Sequence, residues 1–260
     1  MGQVVGFIPA RLASTRLARK LLLAETGRPL IQHTWQSARR AQSLADVIVV
    51  TDSPEIADVV RAFGGHCEMT REHPSGTDRI AEAVERSFHT ADIVVNIQGD
   101  EPEVDPQSID LLVQLLAEHP EAHMSTLATP IRTPHVRDSS SCVKVVCAAD
   151  GRALYFSRSL IPFCRDQDPD QLLSAESPWL LHLGLYAYRR EFLMQLTKLP
   201  VSRLERLEKL EQLRALEAGA VIQVGLVERS AVGIDTAEDY ARFVAGWREM
   251  PDGSKTGFNP

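Results

Sequence analysis

The feature that most constrains this chain is a strand–helix alternation that fills its first half. Short β-rich runs stand at 4–8, 47–51, 67–70 and 93–97. Helical patterns separate them at 30–41, 54–63 and 77–88, and a fourth at 106–118 leads to a further strand at 124–128. Helices at this spacing serve as crossovers, which makes right-handed βαβ units and a mostly parallel sheet. The boundaries carry their own signals. Gly64-Gly65 stops one helix, and Ser75-Gly76-Thr77 caps the start of another.

The pattern changes after Pro134. Strands at 143–147 and 154–157 flank Ala149-Asp150-Gly151, a hairpin signal, and 181–188 alternates in period two as a half-buried antiparallel strand would. We expect an antiparallel lobe at about 135–190, inserted into or added to the parallel sheet. A helix is expected over 202–219, with Ser202 and Glu205 as a capping box, Gly219 as its C-terminal cap, and Leu204, Leu207, Leu210 and Leu213 as its core stripe. A strand at 221–227 returns to the first part. Thr236 and Asp239 form a second capping box that opens a final helix to about Trp247. The expected class is α/β, with residues 1–250 as a single domain that includes the antiparallel lobe. The polar segment 251–260, PDGSKTGFNP, is expected to be disordered.

A net charge of -7 argues against a nucleic-acid-coating protein, which needs a broad basic surface. It leaves room for a small anionic ligand held by a local cluster of cations. Cys67, Cys142, Cys147 and Cys164 contain no Cys-x-x-Cys pair and read as reduced thiols of a cytoplasmic protein. The start, MGQVVGFIPAR, reads as a strand rather than a signal peptide, and no apolar run is long enough for a membrane span.

Three segments carry candidate chemistry. The loop after the first strand holds Arg11, Ser14, Thr15, Arg16 and Lys20. Open α/β sheets bind ligands at the carboxyl ends of their strands, and a triphosphate needs several cationic donors there. No G-x-x-x-x-G-K-[ST] and no G-x-G-x-x-G is present, so neither a P-loop hydrolase nor a dinucleotide dehydrogenase is supported. Asp100, in Gln98-Gly99-Asp100-Glu101-Pro102, stands after the 93–97 strand, and Asp235 stands just before the final helix. Carboxylates so placed suit magnesium, which takes one or two of them plus substrate oxygens and water. Taken singly, each reads as well as a capped turn. Pattern alone likewise leaves His182 and the stripe Glu205, Glu208, Glu211 and Gln212 as a structural histidine and a solvated helix face.

The motifs P-A-R-x-x-S-T-R-L-x-x-K, S-G-T-D-R at 75–79, N-I-Q-G-D-E-P at 96–102, V-K-V-V at 143–146, A-L-Y-F-S-R at 153–158, H-L-G-L-Y-A-Y at 182–188 and L-E-x-L-E-K-L-E-Q-L-R at 204–214 occur in this order. Together they resemble the 3-deoxy-manno-octulosonate cytidylyltransferase (CMP-Kdo synthetase) family over nearly the whole chain to about residue 248. The resemblance implies a nucleotide-diphospho-sugar transferase fold, a smaller dimerisation lobe and a homodimer. It implies transfer of CMP from CTP to 3-deoxy-D-manno-octulosonate (Kdo), with Mg2+ on Asp100 and Asp235. Arg11, Ser14, Thr15, Arg16 and Lys20 then match the CTP phosphate loop, with Lys20 and Arg16 stabilising the departing pyrophosphate. Ser75, Arg79 and Gln98 match positions around base and ribose. Arg158, His182, Tyr186, Glu211 and Gln212 match the sugar-acid pocket. One departure is plain: the family's L-P-G-K is replaced by Leu17-Ala18-Arg19-Lys20. Arg19 is therefore expected to lose glycine's access to positive φ while adding a charge. Alternative readings are a cytidylyltransferase for an 8-amino Kdo analogue or sialic acid, a nucleoside triphosphate hydrolase, and a non-enzymatic regulator that binds CTP or a sugar acid.

Overall fold

The computed structural model describes residues 2–14, 16–174 and 176–249. The expected disordered tail at 251–260 lies outside them. In chain order the elements are β1 (Gln3–Ala10), α1 (Leu30–Ala38), β2 (Asp46–Thr51), α2 (Pro54–Ala62), β3 (His66–Met69), α3 (Gly76–Ser87), β4 (Ala91–Asn96), α4 (Pro106–Glu118), β5 (Met124–Pro130), α5 (Pro134–Asp138), β6 (Lys144–Cys147), β7 (Ala153–Ser157), β8 (Leu180–Arg189), α6 (Arg190–Leu196), α7 (Arg203–Glu208), α8 (Gln212–Glu217), β9 (Ile222–Leu226) and α9 (Ala237–Glu249). They fall into two compact units. One holds Gln3–Ala91, Asn96–Gln107 and the residues from Ala231 onward; the other holds mainly Asp92–Val95 and Ser108–Ser230.

In the first unit β1, β2 and β3 are parallel neighbours, with Phe7 opposite Ile48 and Val49 opposite Cys67. Phe7, Ile8, Ile48, Val49 and Val50 are fully buried, as a parallel strand covered on both faces requires. The helices begin where the sequence marks them. Ser53 accepts from Ile56 N–H, Pro54 opens α2, and Ser75 accepts from Asp78 N–H at the start of α3. The helix expected over 30–41 ends three residues early, at Ala38. The last turn gives way to short-range bonds, Arg40 N–H to Ser37 and Ala41 N–H to Ala38. Its stripe of Leu30, Ile31, Thr34 and Ala38 is buried.

The second unit orders its strands β4-β8-β5-β9, with β6 pairing β7 and β8. The hairpin of β6 and β7 forms as expected, with Val145 opposite Phe156. The strand expected to be antiparallel is β8. It runs along β5, pairing Thr126 with Tyr186 and Ala128 with His182. A bulge between Thr126 and Leu127 leaves Gly184 and Leu185 as two extra residues on β8. Two extra residues preserve the period-two alternation, so His182 and Tyr186 stay on one face.

The helix expected over 202–219 is broken. Lys209 takes the left-handed conformation, φ 56 and ψ 47, and separates α7 from α8. Glu208 and Gln212 therefore do not share one helix face, and Leu207, expected in the core, is 70% exposed. The cause is a non-local pairing. Glu205 closes the Ser202 capping box and also takes a bidentate pair from Arg214, at 2.6 and 2.8 Å, which needs α8 folded back on α7. Gly219 has φ 80 and ends α8 as expected. Both side chains of the pair are about nine-tenths buried. Removing one partner from such a pair costs about 3 kcal/mol. Glu205→Gln should therefore lose about that much in urea unfolding. Arg203→Ala, on an exposed side chain at the start of the same helix, should stay within about 0.5 kcal/mol of the parent. A Glu205→Gln variant as stable as the parent would remove this account of the break.

Candidate active site

The basic loop follows β1, as the sequence predicts. It runs from Arg11 through exposed Arg16 to a single 3-10 turn at Lys20–Leu22. Thr15 lies outside the described residues. Arg19 precedes that turn with φ 53 and ψ 31, in the left-handed region. The expected loss of positive φ is thus corrected: the loop keeps the glycine-like turn and strains a side-chain-bearing residue by about 1–2 kcal/mol. An ion pair with Glu55 at the start of α2 holds Arg19 there.

That turn aims Lys20 inward. Its ammonium lies 2.6 Å from Asp100 Oδ2 and 3.1 Å from Asp235 Oδ1. Arg16 Nη2 stands 2.9 Å from the same oxygen of Asp235. The two carboxylates come from the turn after β4 and the segment before α9. Main-chain bonds fix both: Ile97 N–H donates to Phe7 O at 2.9 Å, and Ile234 N–H donates to Asp100 O at 2.9 Å. From α1, Thr34 donates to Gly99 O and Ser37 to Pro102 O. The expected capping box at the start of α9 is present, with Thr236 N–H on Asp239 and Asp239 N–H on Thr236. Beside Asp100, burial and then the Asp100 charge push the Glu101 carboxyl up to about 7.

The residues expected around base and ribose hold structural partners as well. Ser75 caps α3. Arg79 is buried and donates to Thr70 Oγ1 at 2.8 Å, with Asp52 Oδ1 at 3.2 Å. Gln98 accepts Glu101 N–H in the β4 turn. Asn96 was not singled out by sequence, yet its buried Oδ1 has no partner among the described residues.

In the second unit the residues expected to line the sugar-acid pocket fall into two neighbouring groups. His182 packs edge-on against Phe156 and beside Tyr186, at ring separations of 4.8 and 5.4 Å. Thr126 Oγ1 lies 3.0 Å from His182 Nε2 and 2.9 Å from Leu185 O. While the one hydroxyl proton goes to that carbonyl, His182 donates from Nε2 as a neutral imidazole. Burial holds His182 down at about 3, so it supplies no cation near neutral pH. Burial, with Tyr188 and Glu211 adding to it, raises Tyr186 well above the usual phenol range. Gln212 is buried at the start of α8. The other group centres on Arg158, whose backbone N–H meets Glu208 Oε2 at 3.0 Å and whose Nε donates to Glu208 O at 2.7 Å. Lys144, 1% exposed, donates to Arg158 O at 3.2 Å and was not singled out from the sequence. Its signal was a lone lysine inside the apolar V-K-V-V strand.

Burial of neutral His182 has a pH signature. An unfolded imidazole protonates near 6.5 and the folded one only near 3. The unfolded chain gains its proton first, so the contribution is complete above pH 6.5 and is lost as pH falls through 6.5 toward 3. The difference in Tm between the parent and His182→Gln should shrink across that window and stay flat above it. A difference independent of pH would show that the imidazole is not held neutral.

Comparison with known proteins identifies the family. The cytidylyltransferase family model matches residues 5–226. A 3-deoxy-manno-octulosonate cytidylyltransferase of Rhodopirellula baltica is 49% identical over 240 residues, covering 92% of this chain and 96% of that protein. One of Geobacter sulfurreducens is 46% identical, covering 91% and 96%. A solved CMP:2-keto-3-deoxy-manno-octonic acid synthetase in complex with CTP superposes with a TM-score of 0.87 at 39% identity, over 95% of this chain and 99% of that one. A cytidylyltransferase of Leptospira borgpetersenii, 16% identical with a TM-score of 0.64, shares the fold. Among the described residues no helix is long and apolar enough to cross a membrane. By near-full-length identity, the chain belongs to the 3-deoxy-manno-octulosonate cytidylyltransferase family.

Proposed function

We propose that this chain transfers CMP from CTP to Kdo, giving CMP-Kdo and pyrophosphate and so activating Kdo for lipopolysaccharide biosynthesis. The observation that carries the reading is the convergence of Arg16, Lys20, Asp100 and Asp235 at the carboxyl end of β1. Relatives named for this reaction at 46–49% identity favour Kdo over a related sugar acid, and favour an enzyme over a regulator.

The site has the donors for a divalent ion. Two carboxylates share one ammonium, so they lie close enough to share one cation instead. Two carboxylates with room for phosphate oxygens suit Mg2+. Asp100 and Asp235 would hold it, and there it would polarise the α-phosphate. The anomeric 2-hydroxyl oxygen of Kdo forms a bond to the α-phosphorus, the bond to the β-phosphate bridge breaks, and the hydroxyl proton is released. Such transfers depend on positioning and charge neutralisation rather than a protein nucleophile. Arg11, Ser14, Thr15, Arg16 and Lys20 bind the triphosphate, with Lys20 and Arg16 offsetting charge on the leaving pyrophosphate. Ser75, Arg79 and Gln98 serve base and ribose. Arg158, Tyr186, Glu211 and Gln212 bind the sugar acid, and His182 shapes its pocket as a neutral wall. We read the protein as cytoplasmic and homodimeric, the dimer supported by the exposed apolar side chains Leu154, Phe163 and Leu207 of the second unit. Sedimentation velocity showing only monomer would remove the dimer.

A pyrophosphate-release assay with varied CTP and Kdo tests the assignment. Asp100→Asn and Asp235→Asn should each lower turnover about a hundredfold or more while the far-ultraviolet spectrum is kept. Lys20→Ala should cost about 2–4 kcal/mol in kcat/KM for CTP. Gln212→Ala should raise KM for Kdo and leave KM for CTP nearly unchanged, because an ill-paired polar site discriminates by acceptor. Full turnover in both carboxylate variants, or better use of N-acetylneuraminate than Kdo, would overturn the reading.

A further inference from the structure

Lys144 lies in the middle of the three-stranded arrangement of β6, β7 and β8, opposite Ser157 on one side and Leu181 on the other. Its side chain is buried, 1% exposed. Its ammonium donates to Ser139 O at 2.7 Å and to Arg158 O at 3.2 Å. The Arg158 guanidinium donates to Glu208 O and to Ser140 O, at 2.7 and 3.1 Å. Among the described residues both cations therefore end on main-chain carbonyls and neither meets a carboxylate.

The carboxylates nearby are already engaged. Glu208 takes Ser157 Oγ at 2.6 Å and Arg158 N–H at 3.0 Å. Asp138 is paired with Arg137, which also holds Asp170. Arg137 holds both Asp138 and Asp170, so the wider group is balanced, and Asp138 acts on Lys144 only through its field. A buried unpaired ammonium is costly, and burial pulls Lys144 below the usual lysine range against the opposing fields of Cys142 and Asp138. An apolar residue of the same length would fill the slot at lower cost.

The hydrogen bonds also interlock. Lys144 grips Ser139 and the carbonyl of Arg158, while Arg158 grips Ser140. The 139–140 segment is thus held at successive carbonyls by the two cations, and Arg158 is fixed by its N–H, its C=O, its Nε and its Nη1. We propose that Lys144 is a positioning residue for acceptor binding: it locks Arg158 against the 139–140 segment and so fixes the guanidinium that the acceptor's carboxylate meets. This rests on the reading of Arg158 as the acceptor-side cation.

The test is steady-state kinetics of Lys144→Met, with Arg158→Gln beside it. Lys144→Met should remain folded, with a Tm equal to or above the parent's, because a methionine of similar length replaces a buried unpaired charge. It should raise KM for Kdo about tenfold or more through the lost charge-assisted contacts, with KM for CTP kept within about twofold. Lys144→Gln, neutral but hydrogen-bonding, should show the same split, and supplies the measurement if the methionine variant fails to fold. Unchanged KM for Kdo in a folded Lys144 variant, or an equal rise for both substrates, would overturn the proposal while leaving Arg158 in place. Unchanged KM for Kdo in Arg158→Gln would instead show that the acceptor-side reading beneath it is wrong.

Discussion

The end of the first unit that carries the basic loop is organised around one ammonium. Lys20 stands between Asp100 and Asp235, which would repel each other if left alone at that separation. Everything near it serves that meeting. α1 holds the β4 turn by two hydroxyls, Ile234 ties the approach to α9 onto Asp100, and a strained arginine turns the basic loop so that its lysine points inward. α9 is anchored in turn by Tyr240 on the Glu25 N–H and by Phe243 and Trp247 around His33. Parts of the chain far apart in sequence are thereby bound to one charge.

The chain also reconciles an acidic whole with anionic ligands. Net charge is -7, yet the cations that matter are concentrated in two small groups. Around Lys20 they are balanced by carboxylates, which leaves the group ready to exchange one cation for another. Around Arg158 and Lys144 they end on main-chain carbonyls instead of carboxylates. Local charge, rather than the total, decides what each group can take.

The parallel strands, their helices and the caps at Ser75, Ser202 and Thr236 were legible because each depends on residues a few positions apart. The hairpin of β6 and β7 was legible for the same reason. The break at Lys209 was not, since it follows from Glu205 reaching Arg214 across a corner that no local pattern marks. Arg19 was misread for a related reason: steric preference argues against its φ, and an ion pair with Glu55 together with the pull on Lys20 overrides it. In the candidate site, residue types marked the basic loop, while the two carboxylates were told from capped turns only through the family resemblance. Sequence gave no means of telling that His182 is a neutral wall, or that Lys144 is buried beside Arg158, because both facts depend on packing between strands.

The corner formed by α7 and α8 has a dynamic consequence. Each helix is six residues long, too short to persist alone in water. Their order comes from the Ser202 box, the Glu205–Arg214 pair and the buried Leu210 and Leu213. Glu208, Glu211 and Gln212 are therefore not three independent side chains on a rigid rod. They are held by one shared set of contacts, and local unfolding of such a short corner would release them together. On the proposed acceptor role of Glu211 and Gln212, a substitution that loosens these contacts from a distance would weaken sugar binding without touching the sugar.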